Sequence, residues 1–346
     1  MRLSPALLAV CLLVAISPVA RCATPSSTLP IETGTVQFTP VGDETAIPEQ
    51  YQLEPHTFDF ELAPQHTLST VMKVSKVTFP SPVVTPHENN NTVHCEYFAS
   101  TTPGQKPGVI VLHILGGDFD LARLFCRALA GKNVNALFLK MPYYGERQQP
   151  GVDTRMISAD PALTVKGMTQ AVKDIRRAAA WLAAQDDVAD DQVGIMGISL
   201  GGITSALCVS LEPRFKKAAL LLAGGDMGEV AWTSTEMTEV REKWTAQGKT
   251  KEELFELLKP IDPVTYAKPL PGRKILMLNA SHDEVVPPAC TKSLWRAFGE
   301  PEIVWWDAGH YTAARYLGGG MLRVVDFFQP EQAAKPAETA KTSAAE

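Results

Sequence analysis

From Val109 to Gln329 short apolar runs alternate with segments of helical period, and this alternation restricts the fold more than any other feature of the chain. Val109-Ile110-Val111-Leu112 is a continuous apolar run of the kind that fills a strand buried on both faces. A helix follows over Leu121–Lys132, with Leu121, Leu124, Phe125 and Leu129 on one side, then a strand over Val134–Met141. A long helix over Thr164–Gln185 carries the stripe Val165, Met168, Val172, Ile175, Ala179 and Leu182. Strands over Gln192–Ile198, Lys217–Ala223, Lys274–Asn279 and Ile303–Trp306 are interleaved with helices over Leu200–Leu211, 288–298 and 313–329. Alternation at these lengths predicts the α/β class, with a mostly parallel central sheet and helices on both faces. Upstream, residues 58–62, 71–79 and Thr92–Ala99 show near period-two patterning and predict antiparallel strands.

The flanks differ in composition. Residues 1–23 have Arg2 at the start, an apolar run from Pro5 to Ile16, a Ser17-Pro18 break and small residues around Ala20 and Ala23. That order predicts a secretory signal peptide and a secreted or periplasmic protein. The apolar run is short for a bilayer, so no stable membrane span is expected after cleavage. Residues 24–50 are rich in Pro, Thr, Ser and Glu and predict a flexible leader with little to bury. The folded domain is expected over 51–331, and a disordered tail over 332–346. Between consecutive strands, about 226–270 is far too long for an ordinary crossover. With charged helical stretches around 235–247 and 250–259, it predicts an inserted helical cap.

Net charge is −6 with no Lys/Arg run, which argues against nucleic acid or an anionic membrane surface as partner. Of six cysteines, Cys11 and Cys22 lie in or beside the signal, leaving Cys95, Cys126, Cys208 and Cys290. Their spacing fits no zinc site, and no metal is expected. An oxidising destination permits disulfides, and three full pairings stay open. Cys126 and Cys208 fall on apolar helical faces, where a thiol acts as a small hydrophobe. Oligomeric state is open.

Gly197-Ile198-Ser199-Leu200-Gly201 follows an apolar strand and opens an apolar helix, the setting of a nucleophile elbow. The glycines admit a turn in which a Cβ would strike the adjoining strand or helix. A serine hydroxyl needs a base. Of seven histidines, His310 lies directly after the strand Ile303–Trp306, at the sheet edge where sites of open α/β sheets gather. His56, His66, His87 and His94 belong to the N-terminal strands and loops, where solvated or structural roles are expected. Asp283, one short loop after Lys274–Asn279, is taken as the orienting acid over its neighbour Glu284 by position alone, with Asp226 as the runner-up. The neighbouring His282 is poorly placed to serve as the base. Tetrahedral intermediates need an oxyanion hole. Its first donor is assigned to the Leu200 amide and its second to Leu115, with Ile114 as alternative, in His113-Ile114-Leu115-Gly116-Gly117. His113 is read as bracing that loop.

With the order Ser, Asp, His, and with His113–Gly117, Gly197–Gly201, Asp283 and His310 in place, the chain from about Val109 to Gln329 resembles the α/β-hydrolase superfamily. Asp283-Glu284-Val285-Val286-Pro287 is similar to the acid loop of dienelactone-hydrolase-like and prolyl-oligopeptidase-like members. The resemblance implies the α/β-hydrolase fold and hydrolysis of carboxylic esters, on small molecules or carbohydrates, through an acyl-enzyme and without a cofactor. Two readings stand beside it: a serine peptidase on the same fold, and a catalytically silent binding protein. The loop departs from the family in having Ile114 where glycine often follows histidine. Tyr143 and Tyr144 either line the pocket or pack as ordinary aromatics.

Overall fold

The computed structural model describes residues 30–69 and 71–330; the predicted signal peptide and the predicted tail lie outside them. Ten strands form one sheet: β1 (Glu32–Phe38), β2 (His56–Ser69), β3 (Met72–Pro80), β4 (Thr92–Ser100), β5 (Lys106–Leu112), β6 (Asn135–Lys140), β7 (Val188–Ile198), β8 (Lys217–Leu221), β9 (Lys274–Ala280) and β10 (Glu302–Trp306). The order is β1-β2-β3-β4-β6-β5-β7-β8-β9-β10. The first four strands and the β4–β6 pair are antiparallel, and every pair from β6 through β10 is parallel.

Helices α1 (Asp120–Ala130), α2 (Pro161–Ala183), α3 (Leu200–Leu211), α8 (Pro288–Ala297) and α9 (Leu317–Phe328) connect or follow the parallel strands. Strand alternation sorts the core onto two faces. Ile110, Leu112, Ile195, Leu220 and Met277 pack with the α2 and α3 residues Trp181, Ile175 and Leu207. Val109, Val111, Met196, Leu221 and Leu278 pack with Phe125 and Leu129 of α1 and Val324 and Phe328 of α9. All of these are fully or almost fully buried.

Residues 32–51 overturn the expectation of a flexible leader. β1 pairs with β2 from Glu32↔Leu62 to Phe38↔His56, and Val36, Phe38 and Tyr51 are buried. The reason is electrostatic as well as apolar. Arg176, fully buried on α2, donates Nη1 to Glu44 Oε1 at 2.6 Å, Nη2 to Glu44 Oε2 at 2.7 Å and Nη1 to the Tyr51 carbonyl at 2.7 Å. Its Nε donates to Glu212 Oε2 at 3.1 Å. A polar-looking segment is thus held by a bidentate ion pair that composition does not reveal.

The long connection after β8 is helical: α4 (Met227–Thr233), α5 (Thr238–Ala246), α6 (Lys251–Leu258) and the short α7 (Pro263–Tyr266). Thr250 caps α6 in a capping box with Glu253. Its second half leans on the body of the fold, where the Tyr51 hydroxyl donates to the Pro260 carbonyl at 2.6 Å. Its first half reaches the histidine loop through Glu236, which accepts from the Tyr311 hydroxyl. Cys95, Cys126, Cys208 and Cys290 are free and buried, so none of the pairings left open by the sequence is formed among them.

Candidate active site

Parallel register brings the ends of β5, β7, β8, β9 and β10 level: Leu112 faces Gly197, Ile198 faces Leu221, Leu221 faces Leu278, and Ala280 faces Trp306. Loops leaving these ends share one edge. Ser199 stands there at φ 55° and ψ −117°, immediately before α3. A Cβ on Gly197 would sit 2.3 Å from Gly201 backbone atoms. One on Gly201 would sit 2.7 Å from the Leu112 and His113 carbonyl oxygens, and one on Gly202 2.7 Å from the Leu221 carbonyl oxygen. The turn therefore closes only with hydrogen at these three positions. Ser199 N–H donates to the Leu221 carbonyl at 2.8 Å, which ties the strained residue to the neighbouring strand.

The Ser199, His310 and Asp283 side chains meet. His310 Nε2 lies 2.9 Å from Ser199 Oγ, and Nδ1 lies 2.7 Å from Asp283 Oδ2 and 2.9 Å from Oδ1. With the ring proton on Nδ1, directed at the carboxylate, Nε2 is free to accept from the serine hydroxyl. Asp283 is buried, and its Oδ1 also accepts the Val285 and Val286 amides at 2.9 and 2.7 Å. These bonds fold the acid loop back and fix the carboxylate plane. Asp226, the alternative acid, instead precedes α4 in a left-handed conformation, φ 51° and ψ 55°. His282 turns outward to Asp307, at 3.0 Å.

Sequence reasoning set Glu284 aside as the acid and gave it no other role, yet its Oε2 accepts the His310 backbone N–H at 3.0 Å. The only sequence hint is the adjacent Gly309, where a Cβ would lie 2.5 Å from that oxygen.

Leu200 opens α3, so its amide has no partner within the helix. Leu115 and Ile114 lie half-buried in the loop after β5. That loop is braced by His113: Nδ1–H donates to the Ile114 carbonyl at 2.8 Å, and Nε2 accepts the Met141 amide at 3.1 Å. Burial keeps this imidazole neutral, with its pKa lowered to about 4. The Tyr144 ring packs edge-on against His113 at 4.5 Å and closes over Gly117. Burial pushes its phenol up to about 12. Tyr143, at φ 66°, donates its amide to Asn90 Oδ1 and sets its ring 5.7 Å from His87. Tyr144 is thus part of the loop's packing. Among the described residues, no group of three His, Cys, Asp or Glu side chains is placed to hold a metal ion.

Residues 163–301 match the family model of the prolyl oligopeptidase family, and residues 72–225 match that of alpha/beta hydrolase domain containing 18. Uncharacterized protein Rv2627c of Mycobacterium tuberculosis is 29% identical over 51% of this chain and 42% of its own length. The chain therefore spans less than half of that relative. Uncharacterized protein Rv2307c of the same organism is 25% identical over 68% of this chain and 74% of its own. Among solved structures, acetyl xylan esterase 1 from Thermoanaerobacterium sp. superposes with a TM-score of 0.60 at 19% identity, covering 78% of this chain and 88% of that one. Acetyl xylan esterase from Paenibacillus sp. R4 gives 0.60 at 17% identity over 77% and 88%. At such identity the likeness is one of fold. Strand order, the turn at Ser199 and these matches together give the chain the α/β-hydrolase fold.

Proposed function

We propose that the chain is a secreted serine hydrolase that cleaves carboxylic esters through an acyl-enzyme on Ser199. The observation that carries this reading is the 2.9 Å approach of His310 Nε2 to Ser199 Oγ, with Asp283 on the opposite ring nitrogen. His310 takes the hydroxyl proton as Ser199 attacks the ester carbonyl. The oxyanion is held by the amides of Leu200 and Leu115, with Ile114 as the other candidate for the second donor. Protonated His310 gives its proton to the leaving alcohol, then activates water for deacylation. Asp283 holds the tautomer and offsets the charge on the ring. The signal-like residues 1–23 support export. Acetyl xylan esterases share the fold, which makes short-chain acyl esters of carbohydrates the first substrate class to assay.

Ser199→Ala should abolish both ester turnover and fluorophosphonate labelling while the protein still unfolds cooperatively. Turnover near wild type in that variant, or a wild-type protein that takes no label, would sink the proposal. The second outcome would favour the silent binding protein. The prolyl oligopeptidase match over 163–301 supports a second reading as peptidase. Peptide amides cleaved as readily as matched esters would favour it.

A further inference from the structure

The acid loop presents two carboxylates in succession, and the structure uses both on one histidine. Asp283 is turned inward by the Val285 and Val286 amides, so the next side chain, Glu284, leaves on the solvent side. From there its Oε2 accepts the backbone N–H of His310 at 3.0 Å. Gly309 makes the approach possible, because a Cβ there would stand 2.5 Å from that oxygen and 3.4 Å from the carboxyl carbon. The rest of the loop is held at other points. His282 N–H donates to the Ala308 carbonyl at 2.9 Å, and Gly309 N–H to Thr312 Oγ1 at 2.9 Å. Without Glu284, the peptide that carries the imidazole has no anchor to the acid loop at His310 itself.

An imidazole gripped at Nδ1 alone can still swing its far nitrogen, because the side chain pivots about that hydrogen bond. Fixing the Cα end as well removes the pivot. We propose that Glu284 is a positioning residue for the Ser199–His310 reaction. By holding the His310 amide it keeps Nε2 within reach of the serine hydroxyl, while Asp283 holds the other side of the ring. The inference rests on the hydrolase reading of the site. A misplacement of about 1 Å at a reacting group can cost on the order of a hundredfold in rate. The bond is part-buried but Glu284 itself faces solvent, so water can take over as acceptor when the carboxylate is removed and the loss should fall more on catalysis than on stability.

The test uses the full chain, with the rate of fluorophosphonate labelling and the hydrolysis of 4-nitrophenyl acetate as readouts. Glu284→Ala should lower kcat and the labelling rate by about tenfold or more. KM and the melting temperature should stay close to wild type. Glu284→Gln keeps an acceptor oxygen of the same reach and should restore most of the loss. Gly309→Ala should reproduce the loss with the glutamate still present, by displacing its carboxylate. The double variant Glu284→Ala/Gly309→Ala should be no worse than either single one, because both remove the same bond.

Wild-type kcat in Glu284→Ala would overturn the proposal. So would a Gln variant as impaired as the Ala variant, which would make charge the active property, or additive losses in the double variant. Ser199→Ala is run beside them. If it alone is inactive and Glu284→Ala is not, the positioning role fails and the hydrolase reading stands. If Ser199→Ala keeps turnover, the hydrolase reading itself fails.

Discussion

Three glycines around Ser199 each face backbone rather than a side chain that could step aside. Gly201 is the most instructive, since its missing Cβ faces the carbonyl oxygens of Leu112 and His113, where the loop carrying Leu115 begins. Gly201→Ala should therefore destabilise the fold by about 1–3 kcal/mol, the usual cost of overpacking. Ester turnover should fall further than that loss explains, because the loop donors shift. Urea unfolding together with kcat measures both, and an unaltered kcat would show that the loop does not depend on this contact. The same crowding made the turn legible in sequence, because a glycine pattern is a direct imprint of excluded volume. Glu284 left only the lone Gly309 as its imprint, too little to read as a pattern. Its partner is a backbone amide 26 residues away, and a backbone amide has no letter.

At the level of elements, the parallel strands and their helices were readable because apolar period follows burial. β5 through β10 fall within a few residues of where the pattern puts them, apart from β7, which starts early at Val188. The N-terminal segment was misread for the opposite reason. β1 is a seven-residue edge strand with mostly exposed residues, and the chain between β1 and β2 is held by an ion pair as well as by a few buried apolar side chains. Arg176 binds Glu44, Glu212 and the Tyr51 carbonyl from a fully buried position. Removing one member of a buried ionic set strands the others, at about 3–5 kcal/mol. Arg176→Leu should thus lower the unfolding free energy by that order and expose residues 39–55 to limited proteolysis. A variant that melts as wild type and resists the protease would remove the ionic explanation for this ordering.

At the scale of the molecule, two imidazoles among the described residues are held neutral by burial: His113 and His94 both fall from 6.5 to about 4. A base depressed in the folded state takes up protons more readily once unfolded. Their contribution to stability is therefore complete above about pH 6.5 and shrinks as the pH falls towards 4. For His113 the loss at pH 5 is about 2 kcal/mol, and His94 acts in the same direction. Below about pH 4.5 a second loss sets in. Glu44 and Glu96 are held below their ordinary value by Arg176 and Arg123 against the opposing effect of burial, and they protonate there. Asp262, raised by burial, works the other way over the same acidic range. Chemical denaturation between pH 7.5 and 5 should show this decline well before the carboxylates titrate, and a flat profile would contradict it.

The ion pair between Glu44 and Arg176 joins positions 132 residues apart, and the hydroxyl of Tyr51 waits for a carbonyl 209 residues downstream. A ribosome delivers the first of each pair long before the second. The amino-terminal ribbon must therefore emerge without either clasp: the first can close once α2 is made, the second only after the serine elbow and most of the helical excursion have been synthesised.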